Sequence, residues 1–86
     1  MECYTAFSGV EYEGTELLGV FTSFERAKAA VLEDLERRRT YMRNFDDTIE
    51  RVQRDFVKDV RLTEWTITIE RGEYYEIILC ELNKSV

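Results

Sequence analysis

Histidine, cysteine and paired carboxylates carry most enzyme chemistry, and this chain offers few of them. It contains no histidine, which is the commonest general base and metal ligand, and only two cysteines, Cys3 and Cys80. Cys80 lies between Leu79 and Glu81 in a strand-like run, where no neighbour would activate a thiolate nucleophile. We therefore expect that the chain is not an enzyme.

The sequence also contains few residue patterns that could form a metal or cofactor site. The carboxylate pair Asp46-Asp47 could hold a divalent ion, but its position suits the start of a helix better. Gly9, Gly14 and Gly19 are too widely spaced for a phosphate-binding loop, and none leads straight into a helix. The sequence predicts neither a metal site nor a cofactor.

Acidic residues are concentrated at the two ends of the chain. The formal net charge is −6, with −5 over residues 1–25, +2 over residues 26–61 and −3 over residues 62–86. An acidic domain repels phosphate backbones, which disfavours direct binding of nucleic acid. The same charge suits a basic protein surface, including one that itself binds nucleic acid, although it would also simply keep a small protein soluble.

Length and composition indicate a single domain, residues 1–86, because two domains would each be too small for a core. A hydrophobic fraction of 44% supports such a core. Residues 1–4 lack the basic and apolar regions of a secretory signal, and no apolar run reaches membrane-spanning length. We expect a cytoplasmic protein with two free thiols and no membrane association.

The hydrophobic periodicity predicts four strands, at residues 3–8, 17–22, 63–70 and 74–82. A loop over residues 9–16 joins the first pair and a tight turn at Arg71-Gly72 joins the second. In the third strand Trp65, Ile67 and Ile69 share one face, and Thr66 and Thr68 lie on the other. The predicted fold is α+β, with a helical region inserted between two hairpins of a four-stranded antiparallel sheet (β-β-α-(α)-β-β).

The helical region, residues 23–60, contains either one helix or two. Thr22 and Ser23 both offer N-cap oxygens at its start, and Thr22 with Glu25 has the spacing of a capping box. An uninterrupted helix would be about 57 Å long at 1.5 Å per residue, so it would protrude beyond the sheet. Its heptad-spaced apolar stripe would then form a dimer interface. The interface candidates are Met42, Phe45, Ile49, Val52 and Phe56.

A break in this region is favoured by Asn44-Phe45-Asp46-Asp47, with Asp47 and Glu50 as a second capping pair. Two helices, at residues 23–43 and 47–59, would result.

The strongest candidate for binding is the predicted loop between the first two strands, where carboxylates flank a tyrosine. The segment that follows the second turn repeats this acid and aromatic pairing, and tyrosine is a favoured interface residue. The candidate partner-binding residues are Glu11, Tyr12, Glu13, Glu16, Glu73 and Tyr74.

Arginines 37–39 and 43 are the densest basic feature. Glu33 with Arg37 and Asp34 with Arg38 have the spacing of helical ion pairs, which would make this a solvated face. Arg39 and Arg43 lack an acid four residues earlier and are therefore the candidate basic contacts.

The two ends of the chain resemble small phage and prophage proteins of unknown function. The resemblance is carried by Tyr12-Glu13-Gly14-Thr15-Glu16-Leu17-Leu18-Gly19-Val20-Phe21-Thr22-Ser23 with Glu25 and Ala27, and by Trp65 with Tyr74-Tyr75-Glu76-Ile77. In such proteins a glycine-containing loop leads to a G-V-F-S/T strand and a capped helix. Many small acidic phage proteins inhibit host defence systems, anti-CRISPR proteins among them, so the resemblance implies an inhibitor acting in the host cytoplasm.

Two hypotheses of function follow. The first is a non-enzymatic inhibitor that occludes a basic, nucleic-acid-binding surface of a host protein. The second is a structural or accessory protein that forms a homodimer through the helical stripe.

Overall fold

The computed structural model describes residues 2–81, which form a four-stranded antiparallel sheet with two helices between its second and third strands. This confirms the predicted α+β order. The strands are β1 (Glu2–Val10), β2 (Gly14–Phe21), β3 (Glu64–Thr68) and β4 (Glu73–Glu81), arranged as β2-β1-β4-β3. The helices are α1 (Phe24–Arg37) and α2 (Phe45–Asp55), separated by a 3-10 turn (Arg39–Tyr41). The last residue of the predicted fourth strand, residue 82, lies outside the described range.

Both helices cover the same face of the sheet. In β3 the predicted alternation is confirmed, since Trp65 and Ile67 are buried and Thr66 is exposed. The core also includes residues of β1, β4 and both helices, chiefly Tyr4, Ala6, Phe24, Ala27, Val31, Leu35, Val52, Phe56, Tyr75 and Ile77. Within residues 2–81 neither helix packs on the opposite face, called the open face below.

The first helix is shorter than predicted. It ends at Arg37 rather than residue 43, because the Arg38 N–H turns back to the carbonyl of Leu35 and the chain enters the 3-10 turn. At the other end Ser23, not Thr22, is the N-cap, and its hydroxyl accepts a hydrogen bond from the Arg26 N–H at 3.2 Å.

The second helix begins two residues earlier than predicted, at Phe45. Asn44 is its N-cap, so Asp47 does not cap the helix. Instead Asp46 and Asp47 lie in the first turn, where negative charge is favoured by the helix dipole.

The heptad stripe proposed for a dimer faces the chain's own sheet. Phe45, Val52 and Phe56 are buried, while Met42 and Ile49 are partly buried against the same core. A dimer formed through this stripe would have to withdraw these side chains from the core.

A buried polar cluster ties the end of α1 to β4. The Tyr75 hydroxyl donates a hydrogen bond to Asp34 Oδ2 at 2.5 Å, and Arg38 Nε lies 3.2 Å from the same oxygen. Arg38 also pairs with Glu73, at the start of β4. Burial, reinforced by the hydrogen bond to Asp34, raises the pKa of Tyr75 well above its usual range.

Removing the hydroxyl of Tyr75 tests this cluster. In Tyr75→Phe the buried carboxylate of Asp34 loses a donor, so the free energy of unfolding should fall by about 1–3 kcal/mol in urea titrations. Tyr12→Phe removes a hydroxyl from an exposed ring and should stay within about 0.5 kcal/mol of the wild type.

Measuring the free energy of unfolding at alkaline pH tests the same hydrogen bond in a second way. The folded state keeps the Tyr75 proton at a pH where an unfolded tyrosine, with a pKa of about 10, loses it. The stabilisation is therefore complete below about pH 10 and is lost as the pH rises further. The stability difference between the wild type and Tyr75→Phe should shrink over that range. A constant difference would contradict the assignment of this proton.

Candidate functional site

The turns of the two hairpins lie side by side at one end of the sheet. Val10, the last residue of β1, pairs with Glu73, the first residue of β4. One residue further on, the N–H of Glu11 donates to the carbonyl of Gly72 at 2.8 Å. Residues 11–13 and 70–72 therefore form one continuous surface, called the hairpin end below.

The backbone at the hairpin end is unusual in placing two non-glycine residues in the left-handed region. Tyr12 has φ of 68° and Arg71 has φ of 55°. This conformation costs a non-glycine residue roughly 1–2 kcal/mol. The Tyr12 side chain is 100% exposed, so no packing offsets that cost. Strain of this kind often marks a site kept for function.

The structure divides the six predicted partner-binding residues among three places. Tyr12 and Glu13 occupy the tip of the first turn, and Glu11 and Tyr74 lie at the open face. Glu16 and Glu73 lie on the helix-covered side, and Glu73 is already paired with Arg38.

The predicted loop over residues 9–16 proved too long. Extension of β1 to Val10 and of β2 back to Gly14 leaves only residues 11–13 as the connection. Glu16 is consequently a strand residue opposite Ser8, because backbone pairing across the hairpin overrides the polar composition of the segment.

On the open face the ring of Tyr74 lies over a glycine of the neighbouring strand. Gly9 pairs with Tyr74, and a Cβ atom on Gly9 would lie only 2.4 Å from Cζ of the tyrosine ring. The missing side chain at Gly9 therefore makes the space that the ring occupies, as aromatic residues do over sheet glycines in other proteins.

A shallow cavity of about 400 Å³ lies beside this ring. Its lining combines two carboxylates, three hydroxyls and an aromatic ring, from Glu11, Thr66, Thr68, Gly72, Tyr74 and Glu76. Among residues 2–81 neither Glu11 nor Glu76 has a cationic partner within salt-bridge distance. The cavity can thus accept hydrogen bonds from a guanidinium or ammonium group and offer it a ring face.

Glu76 was missed from the sequence, although a signal for it was present. It lies two residues after Tyr74 in a strand, so the two side chains share a face.

Arg39, one of the two predicted basic contacts, already makes interactions within the chain. Arg39 pairs with Glu36, three residues earlier, at 3.1 Å, and its guanidinium lies 4.5 Å from the centre of the Phe45 ring. Arg43 is exposed. The predicted pair of Arg37 with Glu33 is confirmed at 3.2 Å.

Residues 2–81 contain no group of three or more histidine, cysteine, aspartate or glutamate side chains arranged to hold a metal ion. Within the same range no helix is long and apolar enough to cross a membrane.

Two substitutions with opposite expected effects on stability, one in the first turn and one at the start of β2, test the strain at Tyr12. Tyr12→Gly relieves the left-handed conformation, so we expect the free energy of unfolding to stay constant or rise by up to about 1 kcal/mol. Gly14→Ala introduces the same strain at φ of 98°, with no atom within 4 Å of the new Cβ, and should lower it by about 1 kcal/mol. Chemical denaturation measures both. A clear loss of stability in Tyr12→Gly would mean that the ring supports the fold.

Comparisons of the chain with protein-family models, with curated proteins and with solved structures found no match.

Proposed function

We propose that this chain is a non-enzymatic protein-binding module that uses its hairpin end and the adjoining cavity to engage a basic surface on a partner. The observation that carries the proposal is the open-face cavity, where Glu11 and Glu76 lie beside the ring of Tyr74 without a cationic partner in the described chain. Carboxylates arranged in this way attract an arginine or lysine from another molecule.

Recognition would begin with the projecting tip and end in the cavity. Tyr12 and Glu13 are exposed at the tip of the first turn, and together with Glu11 they present charge and an aromatic ring to an approaching surface. Tyrosine adds contact area at a small loss of conformational entropy, because it has only two side-chain torsions. A guanidinium entering the cavity could then stack on Tyr74 and donate to Glu76.

The partner class that we favour is a protein with a basic, nucleic-acid-binding surface. The acidic excess of residues 1–25 includes the carboxylates of the first turn, so the module could compete with a phosphate backbone for the same arginines. Inhibition of a host defence or other nucleic-acid-handling protein would follow from this occlusion.

Titration with an octa-arginine peptide, followed by amide chemical shifts in two-dimensional NMR, tests the proposal. We expect shifts confined to the hairpin end, Thr68, Tyr74 and Glu76. Glu76→Lys should weaken binding about tenfold or more. Glu64→Lys makes the same change in net charge on the same face, at its other end, and should have a much smaller effect.

A duplex oligonucleotide is the comparison ligand for this titration. If the duplex binds at Arg39 and Arg43 while the peptide leaves the hairpin end unchanged, the proposed function is wrong. If Glu64→Lys and Glu76→Lys weaken peptide binding equally, the effect comes from net charge alone. That result would also contradict the proposal of a defined site.

Gly9→Ala tests the position of Tyr74 without altering any charge. The new Cβ would clash with the ring at 2.4 Å, so the ring must leave the sheet and the cavity must change shape. We expect peptide binding to weaken several-fold, with the rest of the amide spectrum close to that of the wild type. Unchanged affinity with a displaced ring would show that Tyr74 does not contribute to recognition.

A further inference from the structure

The chain's two cysteines are direct neighbours across the centre of the sheet. Cys3 in β1 and Cys80 in β4 are opposed residues of the antiparallel pair, and both thiols are free. Opposed residues in such a pair have Cα atoms about 4.5–5.5 Å apart. A disulfide spans Cα separations of about 4.4–6.8 Å, so the Cα separation expected for this pair lies within its range.

The two thiols differ sharply in access. Their neighbours Tyr4 and Leu79 face the helices, so strand alternation places Cys3 and Cys80 together on the open face. Cys80 is exposed, whereas Cys3 is buried. An oxidant in solution can therefore reach Cys80 first.

We propose that Cys3 and Cys80 are a redox modification site that forms a reversible cross-strand disulfide, with a low-molecular-weight disulfide such as glutathione disulfide as the oxidant. The Cys80 thiolate attacks one sulfur of glutathione disulfide, forms a mixed disulfide and releases one glutathione. The Cys3 thiolate then attacks the Cys80 sulfur, forms the protein disulfide and releases the second glutathione. The two protein thiols lose two electrons and two protons, and glutathione disulfide is reduced to two glutathione molecules.

A disulfide between Cys3 and Cys80 would link β1 and β4, the two central strands of the sheet. It would close a loop that spans nearly the whole described chain, and long loops give the largest restriction of the unfolded state. It would also join β1 to β4, the two strands that bring the hairpin turns together. This inference does not depend on the proposed function, because it concerns the opposite end of the sheet.

The experiment treats the wild type, Cys3→Ser and Cys80→Ser with glutathione disulfide and follows intact mass with time. The wild type should lose two hydrogens without a covalent link between chains, with a thermal unfolding midpoint roughly 10–20 °C higher, reversed by excess reduced glutathione. Cys3→Ser should stop at the mixed disulfide on Cys80. Cys80→Ser should stay unmodified while folded, because its remaining thiol is buried.

Near-ultraviolet circular dichroism checks that each variant is folded, and Cys3→Ala replaces Cys3→Ser if serine is not tolerated in the buried position. Three outcomes would overturn the proposal: a wild type that keeps both thiols, a wild type that ends as the mixed disulfide, or one linked between molecules. Modification of folded Cys80→Ser as fast as Cys3→Ala would overturn the assigned order of reaction.

Discussion

The pairing of β1 with β4 is the constraint on which the other features depend. These strands come from the two ends of the described chain, and nine residue pairs join them at the centre of the sheet. The register sets Val10 against Glu73 and so aligns the two hairpin turns. It also sets Gly9 beneath the ring of Tyr74. A slip by one residue would reverse the faces of one strand and would separate every group that forms the cavity.

The cluster around Asp34 fixes the helical layer relative to this sheet. Asp34 and Arg38 belong to the end of α1, while Tyr75 and Glu73 belong to β4. A buried carboxylate is tolerated only with partners, and here it has a hydroxyl and a guanidinium. Arg38 therefore serves the fold, and its pairing with Glu73 removes one carboxylate from the candidate binding surface. The remaining acids of the hairpin end stay available because no comparable cation reaches them within the described chain.

Local sequence patterns were enough to predict the fold class but not the ends of its elements. The alternation around Trp65 is confirmed because burial on one sheet face imposes a period of two. The end of α1 could not be placed correctly, since the apolar spacing from Leu35 to Met42 continues across the 3-10 turn and gives no sign that the helix ends at Arg37. The loop predicted over residues 9–16 is shorter in the structure, because strand pairing outweighs the acidic composition of that segment.

The candidate site shows the same division between local and non-local information. Composition was enough to single out Glu11, Tyr12 and Tyr74 as binding candidates. Their arrangement with Glu76 requires the register between strands that no local pattern specifies. The paired cysteines are a further case, since thiols 77 positions apart in the sequence become neighbours only through the topology.

The hairpin end combines features that a sequence optimised for stability alone would avoid. Glycine at position 12 would suit the left-handed backbone better than tyrosine, and a shorter side chain would expose less apolar surface. Several carboxylates also lie at the same end of the sheet, among them Glu11 and Glu76 in the lining of one cavity. In the proposed complex a basic partner would pair with these carboxylates and cover the exposed ring, so features that add nothing to the stability of the free chain would strengthen that complex.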